Sequence, residues 1–197
     1  MLTSLIPTAF AASNQNGTLE RWNDVESGAY YYAALSWAVG NEITNGISAA
    51  RFGVAEGCTR AQVVTFLWRM AGCPQPSSYR NPFTDIDKNA YYYEAVLWAI
   101  EKGIAKGTSA TSFSPDGICS RAQIVTFLYR AATAASVYSA NPFMDVHTGD
   151  YFYEAVLWAV ANNVTNGVSN NAFAPDAACT RAQVITFLYR AKDLLGF

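Results

Sequence analysis

The chain has 197 residues, 51% hydrophobic and 14% charged, a composition that excludes a disordered polymer. Its formal net charge is −2 with no basic stripe, which argues against a nucleic-acid partner, and no apolar run approaches the ~18–20 residues of a membrane span. Aromatic residues reach 14%, enough to fill a core and still line sugar-facing surfaces.

In chain order, residues 1–18 come first. Leu2 to Ser13 reads as the tail of a secretory signal: an apolar stretch, Pro7, then small residues in an Ala-x-Ala pattern at Ala9 to Ala11. The basic segment that opens such signals is missing. On this reading cleavage follows Ala11; an ordinary apolar leader is the alternative.

Everything after the leader is repetition. Tyr30-Tyr31-Tyr32-Ala33-Ala34-Leu35-Ser36-Trp37 returns as Tyr91 to Trp98, 61 residues on, and as Tyr151 to Trp158, a further 60 on. The same offsets relate Asp24, Asp85 and Asp145; Gly46, Gly107 and Gly167; Cys58, Cys119 and Cys179; and Arg60, Arg121 and Arg181. Three repeats follow, over residues 19–73, 80–133 and 140–193, with linkers at Pro74–Arg80 and Ala134–Ala140.

Each repeat opens with a helical stretch, about Ala90 to Lys102 in the second copy, with apolar residues at helical spacing. Gly103 is its expected stop. A loop with Gly46, Gly107 or Gly167 follows, then Phe52, Phe113 or Phe173. A left-handed turn is the simplest reason for the glycine, and close approach of a ligand is the alternative.

The second helix begins at Thr59-Arg60-Ala61-Gln62, Ser120-Arg121-Ala122-Gln123 or Thr180-Arg181-Ala182-Gln183. Each is a capping box: the hydroxyl accepts from the backbone three residues on, and Gln reaches back to the cap. The helix that follows is apolar on nearly every face, with only Gln62, Thr65 and Arg69 interrupting it in the first copy. Such a helix is buried on several sides. No convincing strand run exists. The chain therefore reads as all-α: three tandem two-helix repeats closing into a pseudo-threefold helical spindle, since one copy cannot bury its own apolar face. A monomer that is itself a pseudo-trimer of repeats is expected.

Phe83-x-Asp85, Tyr91, Glu94-Ala95-Val96, Glu101-Lys102-Gly103-Ile104, Phe113-x-Pro115 and Ser120-Arg121-Ala122-Gln123 together resemble the S-layer homology domain. The resemblance runs over about residues 20–193. It implies a secreted cell-surface module that binds secondary cell wall polysaccharide non-covalently, often through pyruvylated N-acetylmannosamine, in grooves between repeats. The binding residues it implies are Arg60, Arg121 and Arg181; Asp24, Asp85 and Asp145; and Gly46, Gly107 and Gly167. The family's motif Glu is Gln at 62, 123 and 183, and its Trp at the start of the first helix is Tyr at 30, 91 and 151. Repeat one departs furthest, with Trp22, Ala33 and Val54 at the places of Phe83, Glu94 and Pro115.

The arginines also stand out physically. A cation at the first helical position opposes the helix dipole, yet Arg holds that place three times. Free N–H groups at a helix start bind anions, and a guanidinium beside them would grip a carboxylate. A structural ion pair with the loop Asp is the competing reading. Asp24, Asp85 and Asp145 by themselves read as turn residues. Trp37, Trp98 and Trp158 read as core; the flanking tyrosines stay ambiguous between core and sugar contact.

Cys58, Cys119 and Cys179 read as small buried hydrophobes, since spacings near sixty residues match no metal motif, and Cys73 is an extra thiol in the linker. No cofactor is expected. The single histidine, His147, has no counterpart in the other repeats and reads as a surface turn. No metalloprotease, nucleophile-elbow, phosphate-loop or dinucleotide fingerprint is present, so a binding module is expected rather than an enzyme. A protein-interaction or self-assembly module without glycan binding is the second reading.

Overall fold

The computed structural model describes residues 19–133 and 139–197; the leader reading for 1–18 and most of the second linker fall outside them. The described helices are α1 (Tyr32–Gly40), α2 (Arg60–Met70), α3 (Tyr93–Glu101), α4 (Arg121–Ala131), α5 (Tyr153–Ala161) and α6 (Arg181–Ala191). The architecture is all-α.

The second helix of each repeat starts where its capping box places it. Thr59 Oγ1 accepts from Gln62 N–H, and Gln62 Oε1 accepts from the Thr59 N–H at 3.1 Å. Ser120 with Gln123 and Thr180 with Gln183 repeat the pair.

The first helices are shorter than the periodicity suggests, because Ala90–Tyr92 form a turn before α3 and Tyr92 supplies no side-chain cap. Their stops are built alike. Ile104 N–H reaches Ala99 O at 2.9 Å and Gly103 N–H reaches Ile100 O at 3.0 Å, with Gly103 in the left-handed region. Glu42 and Asn163 take the same conformation at the ends of α1 and α5.

Helix pairing runs between repeats. α2 packs on α3, α4 on α5, and α6 returns to α1. Each pair joins the second helix of one repeat to the first helix of the next, and the last pair closes the ring. The axis of that ring is a cycle of backbone hydrogen bonds, each 2.9 Å: Cys58 N–H to Cys179 O, Cys179 N–H to Cys119 O, and Cys119 N–H to Cys58 O. Isolated bridges (Gly57 with Thr180, Thr59 with Ile118, Ser120 with Ala178) flank it. All three thiols are buried there, and burial pushes Cys119 up to about 12 and Cys179 up to about 11, with Cys58 raised as well. Among the described residues no group of three His, Cys, Asp or Glu is arranged to hold a metal ion.

Phe52, Phe113 and Phe173 are fully buried, each worth roughly 1.5–3 kcal/mol by burial. Trp98 and Trp158 are core residues as expected, while Trp37 is half-buried against Tyr189. The C-terminus also ties repeats together: Leu195 bridges Ala132, and the Phe197 ring meets Trp98 at 5.7 Å.

Candidate functional site

The arginine at the first position of α2, α4 and α6 points into the joint with the following repeat. Arg60 Nε donates to Phe113 O at 2.9 Å and its Nη2 to Lys106 O at 2.7 Å. Arg121 Nε donates to Phe173 O at 2.8 Å and its Nη2 to Thr165 Oγ1 at 3.4 Å. Arg181 Nε donates to Phe52 O at 3.2 Å and its Nη2 to Asn45 O at 2.8 Å. Each guanidinium also lies over two Phe rings of that repeat, 4.7 and 5.5 Å from Phe113 and Phe127 in the case of Arg60. All three arginines are buried, and burial lowers their pKa.

Their partners are carbonyls and the hydroxyls of Thr165 and Thr44. Among the described residues no carboxylate lies within ion-pairing distance of Arg60, Arg121 or Arg181, so the ion pair with the loop Asp is not formed. The Asp engages the same residue from its other side. Phe113 N–H donates to Asp85 Oδ1 at 2.9 Å while Phe113 C=O accepts from Arg60. Asp24 takes the N–H groups of Phe52, Gly53 and Val54, and Asp145 those of Phe173 and Ala174. Burial would raise these carboxyls, but the loop N–H bonds outweigh it and hold all three below the ordinary aspartate value.

The helix starts carry no free anion-binding N–H groups. Arg60 N–H bonds Gly117 O, Ala61 N–H bonds Pro115 O, and the Thr59 hydroxyl takes Gln62 N–H. The starts of α4 and α6 are covered in the same way by Ala177 and Pro175, and by Glu56 and Val54. Ring closure lays the next loop across each helix start and consumes the donors that the sequence left open.

The glycines owe their place chiefly to close packing. Only Gly167 of the three has a positive φ. A Cβ on Gly107 would sit 2.5 Å from Phe83 Cε1, and one on Gly167 2.5 Å from Phe143 Cε1; at Gly46 the obstacle is the Trp22 indole. Every loop also has a left-handed residue directly after the buried Phe: Gly53, Ser114 or Ala174. The Asp carboxylate beneath it holds that strained conformation.

These parts converge on a groove. A cavity of about 200 Å³ is bounded by Gly46 from repeat one, Gln62 and Arg69 from α2, Tyr91 from repeat two and Arg181 from repeat three. All three repeats contribute to it. Arg181 and Gly46 are thus brought together, while Asp24 acts beneath the loop. Related neighbours recur at the other joints: Tyr151 lies near Asp176 as well as Arg130 and Arg60, and Tyr30 near Thr180 and Arg190.

Tyr30, Tyr91 and Tyr151 are each more than 60% exposed, each braced edge-on by the next aromatic at 5.0–5.2 Å. They are the members of the tyrosine clusters that sequence left ambiguous. Arg69 is a groove residue that sequence treated only as an interruption of an apolar helix; its recurrence as Arg130 and Arg190 was the available signal. Arg69 Nη1 donates to Ile43 O at 3.1 Å, and no carboxylate of the described residues neutralises it. His147 is on an exposed turn, its N–H bonded to Asp150.

The pattern of the S-layer homology domain matches three times, over 23–64, 82–125 and 142–185. The chain belongs to the S-layer homology domain family. Curated relatives of this S-layer homology chain include a cell surface protein of Thermoanaerobacter kivui, 30% identical over 135 residues, covering 66% of this chain and 17% of that protein. A surface-layer 125 kDa protein of Lysinibacillus sphaericus is 30% identical over 142 residues, 72% of this chain and 12% of that one. An endoglucanase of Bacillus sp. (strain KSM-635) is 30% identical over 114 residues, 58% of this chain and 12% of the enzyme. The chain spans less than a fifth of the length of each of these relatives. No described helix is long and apolar enough to cross a membrane.

Proposed function

We propose that this chain anchors a protein at the bacterial cell surface by non-covalent binding of an acidic secondary cell wall polysaccharide in the grooves between its repeats. The observation that carries the proposal is the lining of the groove at Gly46: two guanidinium groups, an exposed tyrosine ring, and no carboxylate. Surplus positive charge beside an aromatic face suits a sugar with an anionic substituent. The volume of about 200 Å³ is below the roughly 300–1,000 Å³ of drug-sized pockets and suits one sugar ring.

On this reading Tyr91, Tyr151 and Tyr30 offer the stacking face. Arg181, Arg60 and Arg121 hold the loops carrying Gly46, Gly107 and Gly167, and supply field to the grooves, while Asp24, Asp85 and Asp145 shape the loops from behind. Weak single sites on one polymer would combine, with avidity about 10²–10⁴ above one groove.

Co-sedimentation with cell-wall sacculi, before and after acid extraction of the secondary polysaccharide, tests the proposal. Binding that disappears on extraction is the expected result. Binding that survives extraction points to peptidoglycan, and no binding to either preparation points to a protein partner.

A further inference from the structure

We propose that Asn45 is a self-modifying residue: in the folded chain its side-chain amide is lost to attack by the Gly46 nitrogen, which sets a carboxylate in the rim of the groove at Gly46 as the protein ages.

Cyclisation of an asparagine needs a following residue without a side chain, a backbone nitrogen that can give up its proton, and a side-chain amide free to swing onto it. Among the described residues Asn precedes Gly at Asn45-Gly46 and at Asn166-Gly167, and Thr stands before each pair. Lys106 holds the place in repeat two. Both asparagines are exposed, and neither side-chain amide is bonded to a described residue.

The two glycine nitrogens differ. Gly167 N–H donates to Thr165 Oγ1 at 3.3 Å. Gly46 N–H has no acceptor among the described residues, because the Thr44 hydroxyl is turned to donate to Asn45 O at 3.3 Å. Arg181 Nη2 donates to that same oxygen at 2.8 Å. Asn45 O is the carbonyl oxygen of the peptide whose nitrogen is Gly46 N. When that nitrogen loses its proton, the negative charge spreads onto the carbonyl oxygen, where a guanidinium and a hydroxyl already donate. The ring closure that brings repeat three onto repeat one therefore favours the attacking form at Asn45. Arg121 stops at Thr165 Oγ1, and no side chain of the described residues donates to Asn166 O.

The step consumes only water. Gly46 N gives its proton to solvent and bonds Asn45 Cγ; the Cγ–Nδ2 bond breaks, and that nitrogen takes up a proton and leaves as ammonia. Water then opens the imide ring at either carbonyl, breaking one C–N bond. Opening at Cγ leaves Asp. Opening at the former peptide carbonyl leaves an isoaspartyl link and a free carboxylate on the carbon whose oxygen Arg181 holds. Asn45 and Arg181 both line the cavity at Gly46, so either product changes its rim.

The test is ageing of the full chain at mildly alkaline pH, native and in urea, followed by site-resolved peptide mapping and isoaspartyl methyltransferase labelling. In urea the two Thr-Asn-Gly sites stand on equal terms and are expected to convert at similar rates. In the native chain a charge-assisted bond separates them, so Asn45 is expected to convert on the order of tenfold faster than Asn166. Equal native rates, a faster Asn166, or no native conversion at Asn45 overturns the proposal. A second arm rests on the glycan-binding reading above. Aged wild type is expected to lose retention on sacculi in step with conversion, while aged Asn45→Gln matches its own fresh sample, since the longer side chain cyclises far more slowly. Conversion without loss of retention keeps the modification and overturns its effect on the groove. Fresh wild type that binds no sacculi overturns the glycan reading and leaves the mapping result to decide the modification.

Discussion

Replacing Arg121 by Met removes one buried guanidinium and keeps most of the aliphatic stem. The structure says what is lost: a charge-assisted bond to Phe173 O at 2.8 Å, a long contact to Thr165 Oγ1 at 3.4 Å, and cation–π contacts to Phe173 and Phe187 at 4.8 and 5.4 Å. The first is worth about 1.5–3 kcal/mol and each ring contact roughly 1 kcal/mol. Relief of the buried charge's desolvation offsets part of this, leaving a net loss of about 3 kcal/mol. For a domain of this size that lowers the melting temperature by about 6–12 °C. Thermal unfolding followed by far-UV circular dichroism reads the effect directly. A melting temperature within about 2 °C of wild type would refute the view that this arginine clamps the joint between repeats two and three.

The other expectations concern loops and thiols. The carboxylates of Asp24, Asp85 and Asp145 have lowered folded-state pKa values, so their stabilisation is present above the unfolded value of about 4 and is lost as pH falls through the folded values. Asp85→Asn should lower stability at neutral pH and flatten its fall in acid; urea unfolding across pH 3–7 (roughly the range that brackets that unfolded value) checks this, and an unchanged acid limb would count against it. Ala174→Gly should stabilise the protein by about 0.5–1 kcal/mol, because Ala174 sits at φ 58, and a lowered melting temperature would be the contrary result. A thiol reagent should label Cys73 promptly in the native state and Cys58, Cys119 and Cys179 only on unfolding, since Cys73 alone of the four is exposed. Fast labelling of all four would show that the axis opens readily.

The groove has a consequence for how repeats can be altered. Tyr91 comes from the repeat after Gly46, and Arg181 from the one before it. A truncated chain with two repeats would lack a wall for some grooves and leave the Cys58–Cys179–Cys119 cycle open. The symmetric ring is both the fold and the frame of the candidate site.

The sequence by itself determined the local chemistry. The offsets of 61 and 60 residues, the capping boxes and the all-round apolar helices specify three helical repeats with defined second-helix starts, because caps and periodicity act within a few residues. The linked Asp, Gly and Arg positions were legible as recurrent landmarks for the same reason. Their partners were not. Which loop carbonyl meets Arg60, which aromatic crowds Gly107, and that the helix-start N–H groups are covered all depend on contacts between residues 24 to 129 apart in sequence. Nor could sequence separate the exposed Tyr91 from the half-buried Tyr92 and Tyr93, since the difference follows from how each packs against the core. Only the tertiary structure decided those points, because ring closure pairs each helix with a helix from the next repeat, and the grooves exist only where such pairs meet.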